Sequence, residues 1–324
     1  MDIDITKYSK EIKDKLIRML QSCNLNFLVG SGCSTPDIEL LGDIEQEINN
    51  KLKEAGGKEE AENRLNKFKE KILNAHKDLN NKLETVEEYR KFLDMLSEIL
   101  HKRSNINIHK KANIFTTNYD LFIEQAANNI NAILNDGFER NVNLKNLFKF
   151  STNTFFNTTY NNGQLYNYEF EIPKINLFKL HGSVSWKLKK IDDDDVIIFS
   201  DGDKYEYDTD FVSIMPSNDK FEQTVIKHII YDLIRMYANE IEKENTLLIS
   251  LGFSFEDKHL LDITRRGLKN STLNLVIFCY DEKAFESFKS KFQNFDNVSL
   301  IHRTGEELSF KGFNKLLTEI INGI

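Results

Sequence analysis

The sequence predicts an α/β fold, a doubly wound and mainly parallel sheet with a smaller helical insertion lobe. Two observations lead to this prediction. Short apolar runs alternate with amphipathic helical patterns along most of the chain, and one long stretch before the second strand shows helical spacing alone. Strands that alternate with helices are typical of a parallel sheet covered by helices on both faces. With 324 residues the chain can bury one large core and a small appendage.

The elements follow from the spacing of apolar residues. A helical stripe from Tyr8 to Leu20 leads into the apolar run 25–29, which ends in Gly-Ser-Gly and predicts a buried strand. Later strands are predicted at 112–116, 175–180, 246–251 and 273–279, and the run 298–301 is compatible with a sixth. Later helices are predicted at 121–130, 221–241, 258–268, 282–292 and 306–321.

The stretch 43–103 is the predicted insertion lobe. It is rich in Glu, Lys, Leu and Asn at helical spacing and is interrupted at Gly56-Gly57. Residues 1–42 and 104–324 are then expected to form the main domain. The segments 141–168 and 191–211 are interpreted as loop or hairpin insertions, with the acidic run 192–195 as a solvated turn.

Composition and charge exclude several classes of protein. No apolar run approaches the roughly 18 residues of a membrane span, and the N-terminal residues contain no apolar signal segment, which predicts a cytoplasmic protein. A formal charge of −8 argues against direct binding of nucleic acid, although a local basic patch at 187–190 is compatible with it. Cys23, Cys33 and Cys279 lie too far apart to suggest a disulfide framework or a zinc site.

Residues that a core does not need follow four of the predicted strands directly. The four turns are Gly30-Ser31-Gly32-Cys33-Ser34, Thr116-Thr117-Asn118-Tyr119-Asp120, His181-Gly182-Ser183 and Gly252-Phe253-Ser254. Ligands of open parallel sheets bind at the carboxyl ends of the strands, so the four turns are expected to converge on one crevice.

The first three turns each have a functional and a purely structural interpretation. Gly30 and Gly32 allow positive φ and let backbone N–H groups approach a pyrophosphate, or they form a tight strand-to-helix turn. Asp120 opens a helix and is expected to cap it, while Asn118 offers a donor and an acceptor to ribose hydroxyls or a water. His181 is either a core histidine or, at a strand end before Gly182, an acid or base near neutral pH.

At these turns the sequence resembles the sirtuin superfamily, specifically the bacterial sirtuin-like NADases of antiphage defence. The turn 30–34 is similar to the family's G-A-G-x-S, with Ser31 in place of alanine, and 117–120 is similar to its T-Q-N-x-D motif. Residues 179–183 are similar to its L-H-G-S, and 252–260 to the G-[FY]-S-F-x-D-x-H-[LI] of the bacterial branch. The motifs occur in family order from about position 25 to 302.

The resemblance implies a Rossmann-like sheet and a site for NAD as substrate. The residues implied to bind NAD are Gly30, Ser31, Gly32, Ser34, Thr117, Gly252, Phe253, Ser254 and, by position only, the adenosine-ribose candidate Asp281. Asn118 and Asp120 would hold the nicotinamide ribose and carboxamide, and His181 would be the catalytic base.

One departure from the family pattern concerns the subclass. Classical sirtuin deacetylases carry a four-cysteine zinc ribbon after the catalytic histidine, whereas residues 182–216 contain no cysteine. The resemblance therefore implies hydrolysis of NAD without a metal, to nicotinamide and ADP-ribose. The alternatives are an ADP-ribosyltransferase or deacylase, and a subunit that binds NAD or ADP-ribose without cleaving it. Family members in defence systems further imply self-assembly, or a partner such as a HerA-type ATPase or an Argonaute-like protein.

Overall fold

The computed structural model describes residues 2–4, 10–54, 57–76, 83–103, 105, 107–128, 130–140, 148–163, 169–191, 194–199, 211–212 and 224–322. The helices in these ranges are α1 Lys10–Ser22, α2 Leu41–Lys53, α3 Lys58–Ala75, α4 Glu84–Lys102, α5 Phe122–Ala126, α6 Thr224–Ile241, α7 Lys258–Gly267, α8 Glu282–Phe292 and α9 Phe310–Ile321.

The strands form one large sheet and two small ones. Their bounds are β1 Asp2–Asp4, β2 Asn24–Val29, β3 Lys111–Thr116, β4 Ile133–Asn135, β5 Phe138–Glu139, β6 Lys149–Phe150, β7 Tyr160–Asn162, β8 Glu169–Glu171, β9 Lys174–Lys179, β10 Trp186–Ile191, β11 Asp194–Phe199, β12 Thr246–Leu251, β13 Leu273–Phe278 and β14 Val298–His302. The large sheet has the order β1-β14-β13-β12-β2-β3-β9-β4, and all its neighbours pair in parallel. The predicted doubly wound, parallel α/β fold is confirmed.

The order of the strands contains one switch of direction. From β2 the chain builds outward through β3 and β9, and it then builds β12, β13 and β14 on the other side of β2. The switch point therefore lies between β2 and β12, whose carboxyl ends are Val29 and Leu251. Crevices at such a point, outside the carboxyl ends of the strands, are where α/β sheets of this kind bind ligands.

Two apolar cores cover the two faces of the sheet. One contains the buried residues of α1, α4 and α9, and the other those of α6, α7 and α8. The strands between them are almost continuously buried, and this explains why their apolar residues occupy both faces rather than alternate positions. Helices pack on both faces, so neither face of a central strand is left to solvent.

A row of asparagines crosses four strands of this sheet, and three of the four are buried, while the one in β4 is half-buried. Asn135, Asn176, Asn113 and Asn26 lie at paired positions of β4, β9, β3 and β2. Each amide nitrogen donates to the next amide oxygen, at 2.9 Å from Asn135 to Asn176, 3.0 Å from Asn176 to Asn113 and 2.8 Å from Asn113 to Asn26. We refer to these four residues as the asparagine ladder. Its hydrogen bonds offset the cost of burying the amides, which is about 1–3 kcal/mol for each group left unpaired.

The predicted insertion contains α2, α3 and α4. Helix α4 packs directly on the sheet, with the Phe92 ring 5.3 Å from that of Phe27 in β2, and it also contacts α9 through Phe313 at 6.0 Å. Side chains of α2 and α3 belong to the same apolar core. The domain boundaries at 43 and 103 remain a prediction.

Three elements differ from their predicted bounds. Helix α5 ends at Ala126 rather than at 130, because Ile133 and Leu134 turn back to pair with β9. Helix α9 begins only at Phe310, where the Ser309 side chain accepts the Gly312 N–H. The edge strand β1 was not predicted, since three residues carry too little pattern.

The two predicted insertions contain short antiparallel strands in the ranges that the structure describes. Strands β10 and β11 form a hairpin, and β6 and β5 extend it. The acidic run 192–195 is divided, because 192–193 lie outside the described residues and Asp194 begins β11. In the described part of the chain, no helix has the length and apolar character needed to cross a membrane.

Candidate active site

The four predicted turns are tied to one another at the carboxyl edge of the sheet. We call them the first (30–34), second (117–120), third (180–185) and fourth (252–257) turns. The Gly30 N–H donates to the Leu251 carbonyl at 2.9 Å, which joins the first turn to the end of β12 and so to the fourth turn. The Gly30 carbonyl in turn accepts from the Asn118 side-chain amide at 3.1 Å, which joins the first turn to the second.

Two further contacts connect the four turns into a closed circle, which we call the ring of turns. The Val184 N–H donates to the Tyr119 carbonyl at 3.1 Å, joining the third turn to the second. Nε2 of His181 lies 3.1 Å from a carboxylate oxygen of Asp257, joining the third turn to the fourth. The four turns are therefore one connected structure at the switch point, although Val184 and Asp257, which make these two contacts, lie just beyond the predicted turns 181–183 and 252–254.

The glycines of the first turn are required by the fourth turn. A Cβ atom on Gly30 would lie 2.4 Å from the Gly252 carbonyl oxygen, and one on Gly32 would lie 2.9 Å from the Gly252 Cα. Gly252 itself has a φ of +57°, a conformation in which glycine is strongly favoured. The two turns cross backbone against backbone, which only residues without a side chain allow.

This contact corrects the predicted role of the first two glycines. Gly30 has a φ of −107°, so the positive φ expected there is found at Gly252 instead. The N–H groups of Gly30 and Gly32 donate to the carbonyls of Leu251 and Gly252 at 2.9 and 3.0 Å. Both donors that were expected to face a pyrophosphate are thus used within the protein.

The Ser34 hydroxyl is the centre of a buried hydrogen-bond network. It donates to a carboxylate oxygen of Asp120 at 2.9 Å and accepts from the Asn118 amide at 3.1 Å. Because its single hydrogen is used by Asp120, the Tyr89 hydroxyl at 3.2 Å must donate to it. With one bond donated and two accepted, the hydroxyl has no capacity left for the predicted contact with NAD. Ser34 instead supports Asn118 and Asp120.

Asp120 is buried and fixes the start of α5. One carboxylate oxygen accepts from Ser34, and the other accepts the Phe122 N–H at 3.2 Å. The Asp120 carbonyl accepts a short hydrogen bond from the buried ammonium of Lys179, which also lies 3.2 Å from Glu124. The predicted capping role of Asp120 is found in this modified form, as a turn that precedes the helix.

Asn118 keeps one polar atom without a partner. Its amide nitrogen donates to Gly30 and Ser34, and its backbone N–H donates to the Thr116 hydroxyl at 3.0 Å. A backbone carbonyl can only accept, so the amide nitrogen must be the atom that faces Gly30, and Oδ1 is the other atom of the amide. Among the described residues, no group donates to this buried oxygen.

The His181 side chain, like that of Asn118, has one polar atom with a partner among the described residues and one without. Its side chain is only 12% exposed, and Nε2 contacts the Asp257 carboxylate while the buried Nδ1 has no partner in the described part of the chain. Burial opposes the ionisation of Asp257, but the hydrogen bond and charge of His181, with two backbone N–H groups, outweigh burial and hold the pKa of this carboxyl below its usual value.

Two unpaired buried atoms thus lie in adjacent turns, Oδ1 of Asn118 and Nδ1 of His181. Strands β3 and β9 pair Thr116 with Lys179, and each of the two residues follows its strand by two positions. An unpaired buried polar group costs about 1–3 kcal/mol, so a ligand that bonds to both atoms would recover that energy. One is an acceptor and the other a base or donor, a combination suited to hydroxyl groups or water.

The other predicted binding residues have mixed surroundings. Phe253 is buried in the core against Phe255, with ring centroids 5.0 Å apart, and this places it in the structural support of the fourth turn. Thr117 is buried, whereas Ser31 is partly exposed and Ser254 exposed. Asp281 follows β13 and caps α8 by accepting the Ala284 N–H at 2.7 Å. Their contacts with NAD remain predictions.

Sequence analysis missed three residues that hold the turns in place. Asp257 was quoted within a motif but given no role, although an aspartate before a helical pattern is a capping signal. Tyr89 and Lys179 could not be assigned from the sequence, because their spacing is that of core residues. In the part of the chain that the structure describes, no group of three His, Cys, Asp or Glu side chains is placed to hold a metal ion.

His76 connects the predicted insertion to the second turn. It directly follows α3, is fully buried, and accepts the Leu121 N–H on Nε2 at 3.0 Å while its Nδ1 lies 3.0 Å from the Gln125 amide. Burial lowers the pKa of this imidazole to about 4, although the charge of Asp120 acts in the opposite direction.

This shift predicts a loss of stability on acidification. In the unfolded chain the histidine has a pKa near 6.5 and binds a proton below that pH. In the folded protein the buried imidazole stays neutral until about pH 4, so acid favours the unfolded state. Between about pH 7 and pH 5 the free energy of unfolding should fall by about 2 kcal/mol more in the wild type than in a His76→Gln variant. Urea unfolding at both pH values measures this difference. The exposed His101, changed to Gln, should retain the wild-type dependence, and equal slopes for all three proteins would contradict the prediction.

The fold and the four connected turns define the class: a doubly wound α/β protein with a candidate ligand site at the switch point of the sheet. A family model described as a SIR2-like domain matches residues 112–301, more than half of the chain, and the protein belongs to this family. The matched range contains the second, third and fourth turns, and the first turn joins them through the contacts of Gly30. A comparison with curated proteins gave no match. Membership of the family implies a site for NAD.

Proposed function

We propose that the protein is an NAD hydrolase that cleaves the bond between nicotinamide and ribose. The observation that carries the proposal is the pair of unpaired buried atoms, Oδ1 of Asn118 and Nδ1 of His181, in adjacent turns of a SIR2-like sheet. Hydrolysis needs a group that accepts a proton, which His181 can supply, whereas a module that only binds NAD needs none.

The proposed reaction needs little covalent chemistry from the protein. The C1′–N1 bond breaks, and nicotinamide leaves with the electron pair, which neutralises its pyridinium ring. The oxygen of a water forms the new bond to C1′ and releases one proton, so NAD⁺ and water give nicotinamide, ADP-ribose and H⁺. The protein has to position the water, accept its proton and stabilise the positive charge that develops on the ribose.

Residues of the four turns suit these tasks. His181 would accept the proton, while Oδ1 of Asn118 would accept a hydrogen bond from the water or a ribose hydroxyl. Ser34 and Gly30 hold the Asn118 amide at 3.1 Å each and so fix the direction of its oxygen before substrate arrives. Such preorganisation is what makes polar groups effective in a buried site.

The direct test is incubation of the purified chain with NAD, followed by chromatography for nicotinamide and ADP-ribose. Equal amounts of both products are expected, and His181→Ala should lower kcat by about 100-fold or more because the proton acceptor is lost. Calorimetry should show that this variant still binds NAD. His101→Ala, far from the four turns in sequence, is the control and should turn over normally.

The alternatives give different results in the same assay. Release of nicotinamide that depends on an acyl-lysine peptide or a protein acceptor would indicate a deacylase or an ADP-ribosyltransferase. Binding of NAD without release of nicotinamide, with and without candidate partners, would indicate a binding subunit and would refute the hydrolase.

The biological role extends the proposal one step further. The resemblance to NADases of antiphage defence supports depletion of cellular NAD on infection as the purpose of the reaction. An enzyme that consumes NAD needs control, for which we propose self-assembly or a partner such as a HerA-type ATPase or an Argonaute-like protein. Assays over a range of protein concentrations and with each partner test this role.

A further inference from the structure

The fourth turn contributes a carboxylate whose position matches the imidazole of the third turn. Asp257 begins α7 as its N-cap, and Oδ1 accepts the N–H groups of His259 and Leu260 at 2.9 and 3.1 Å. The second oxygen, Oδ2, remains for Nε2 of His181 at 3.1 Å. Two backbone donors thus fix the rotation of the carboxylate, and the carboxylate in turn fixes the ring.

The chemistry of this contact determines where the imidazole carries its proton. An ionised carboxylate can only accept a hydrogen bond, so Nε2 must be the protonated nitrogen of the neutral ring. The hydrogen bond from His181 and the two backbone donors favour the ionised form of Asp257. The lone pair of the ring then lies on Nδ1, which is the buried atom without a partner in the described residues.

We propose that Asp257 is a positioning residue that holds His181 in the Nε2–H tautomer and aims Nδ1 at the reacting water or hydroxyl. The inference rests on the proposed NAD hydrolysis. In that reaction the water O–H bond breaks as the new O–C1′ bond forms, the proton passes to Nδ1, and nicotinamide leaves with the electrons of the C1′–N1 bond. The resulting imidazolium is stabilised by Asp257 and returns the proton to solvent after products leave.

Asp257→Asn separates orientation from folding. Asparagine caps helices about as well as aspartate, so its oxygen is expected to take the backbone donors of α7. Its NH₂ group then faces Nε2, which must become the acceptor, and the proton moves to Nδ1. We expect kcat for NAD to fall by at least about 10-fold with KM changed by less than about threefold. The midpoint of thermal unfolding should stay close to that of the wild type.

Two further variants separate the contact with His181 from helix capping and from net charge. Asp257→Ser keeps an N-cap but is too short to reach the ring, and it should also lower kcat without unfolding α7. Asp262→Asn removes the same charge from an exposed position on the same helix and should leave turnover within about twofold of the wild type.

The closing experiment reads the tautomer directly and needs no substrate. Long-range ¹H–¹⁵N NMR spectra at neutral pH and above distinguish the two neutral forms of an imidazole, and His181→Gln identifies the signals. The wild type should show Nε2–H and Asp257→Asn should show Nδ1–H. A wild-type Nδ1–H form, or unchanged kcat in Asp257→Asn, would overturn the inference. If the NMR spectra show the expected tautomers but the protein does not cleave NAD, the proposed hydrolase function is refuted, while the conclusion that Asp257 fixes the tautomer of His181 stands.

Discussion

Replacing Asn118 with alanine is expected to lower kcat for NAD cleavage by about 1000-fold. The change removes Oδ1, the unpaired acceptor, and also the amide that donates to Gly30 and Ser34. Without that amide, the side-chain link between the first and second turns is reduced to the hydrogen bond from Ser34 to Asp120. Single-turnover measurements of nicotinamide release, with NAD binding followed separately, measure the loss at the chemical step.

Asn314 provides a matched control for this substitution. It is also a buried asparagine, its amide donates to the Glu88 backbone at 2.9 Å, and its Oδ1 is unpaired among the described residues. Asn314→Ala should cost a similar free energy of unfolding but keep kcat within about threefold, because α9 lies outside the ring of turns. If both variants lose turnover equally, the Asn118 substitution acts by lowering stability, and the proposed catalytic role of Asn118 is refuted.

Replacing Gly30 with alanine is expected to destabilise the protein by roughly 3 kcal/mol and to abolish turnover. The new Cβ would lie 2.4 Å from the Gly252 carbonyl oxygen and 2.7 Å from the Phe253 Cα, and both are backbone atoms that cannot rotate away. The first and fourth turns must therefore separate, which breaks the ring at the switch point. Urea unfolding gives the free energy, and the NAD assay at a temperature where the variant is folded gives the rate.

Gly42 is the control for this prediction. It lies exposed in the first turn of α2, and a Cβ atom added there would approach no other part of the described chain within 4 Å. Gly42→Ala should stabilise the protein by up to about 1 kcal/mol, because alanine favours the helix. A Gly30→Ala protein as stable and active as the wild type would show that the two turns do not need their backbone contact.

The fold was predictable because its central strands are covered on both faces. Runs such as 246–251 and 273–279 are mostly apolar, and the helices between them show clear spacing, so periodicity alone located them. Elements were mispredicted where the apolar pattern is short or where apolar residues belong to a different element. Strand β1 has three residues, and the apolar residues after α5 belong to β4 rather than to a longer helix.

The site was predictable in outline and not in detail. Residues that follow the strands identified all four turns, because polar residues and glycines directly after an apolar strand break the apolar pattern of the core. Which polar atoms would be used internally could not be predicted, since it depends on contacts between distant turns. Ser34 and the N–H groups of Gly30 and Gly32 are occupied by the protein, while Asn118 and His181 each keep one unpaired atom.

The asparagine ladder has a consequence for the geometry of the turns. Sliding one strand by a single residue turns every side chain to the opposite face, so a misaligned β3 would put Asn113 among apolar side chains and Ile114 among amides. Such a slip would also move the Asn118 end of the strand by about 3.3 Å relative to its neighbours. Amides in the middle of the sheet thus set the alignment of strands whose ends carry the turns several residues away. A polar row that contributes little net stability therefore fixes the positions of the four turns relative to one another.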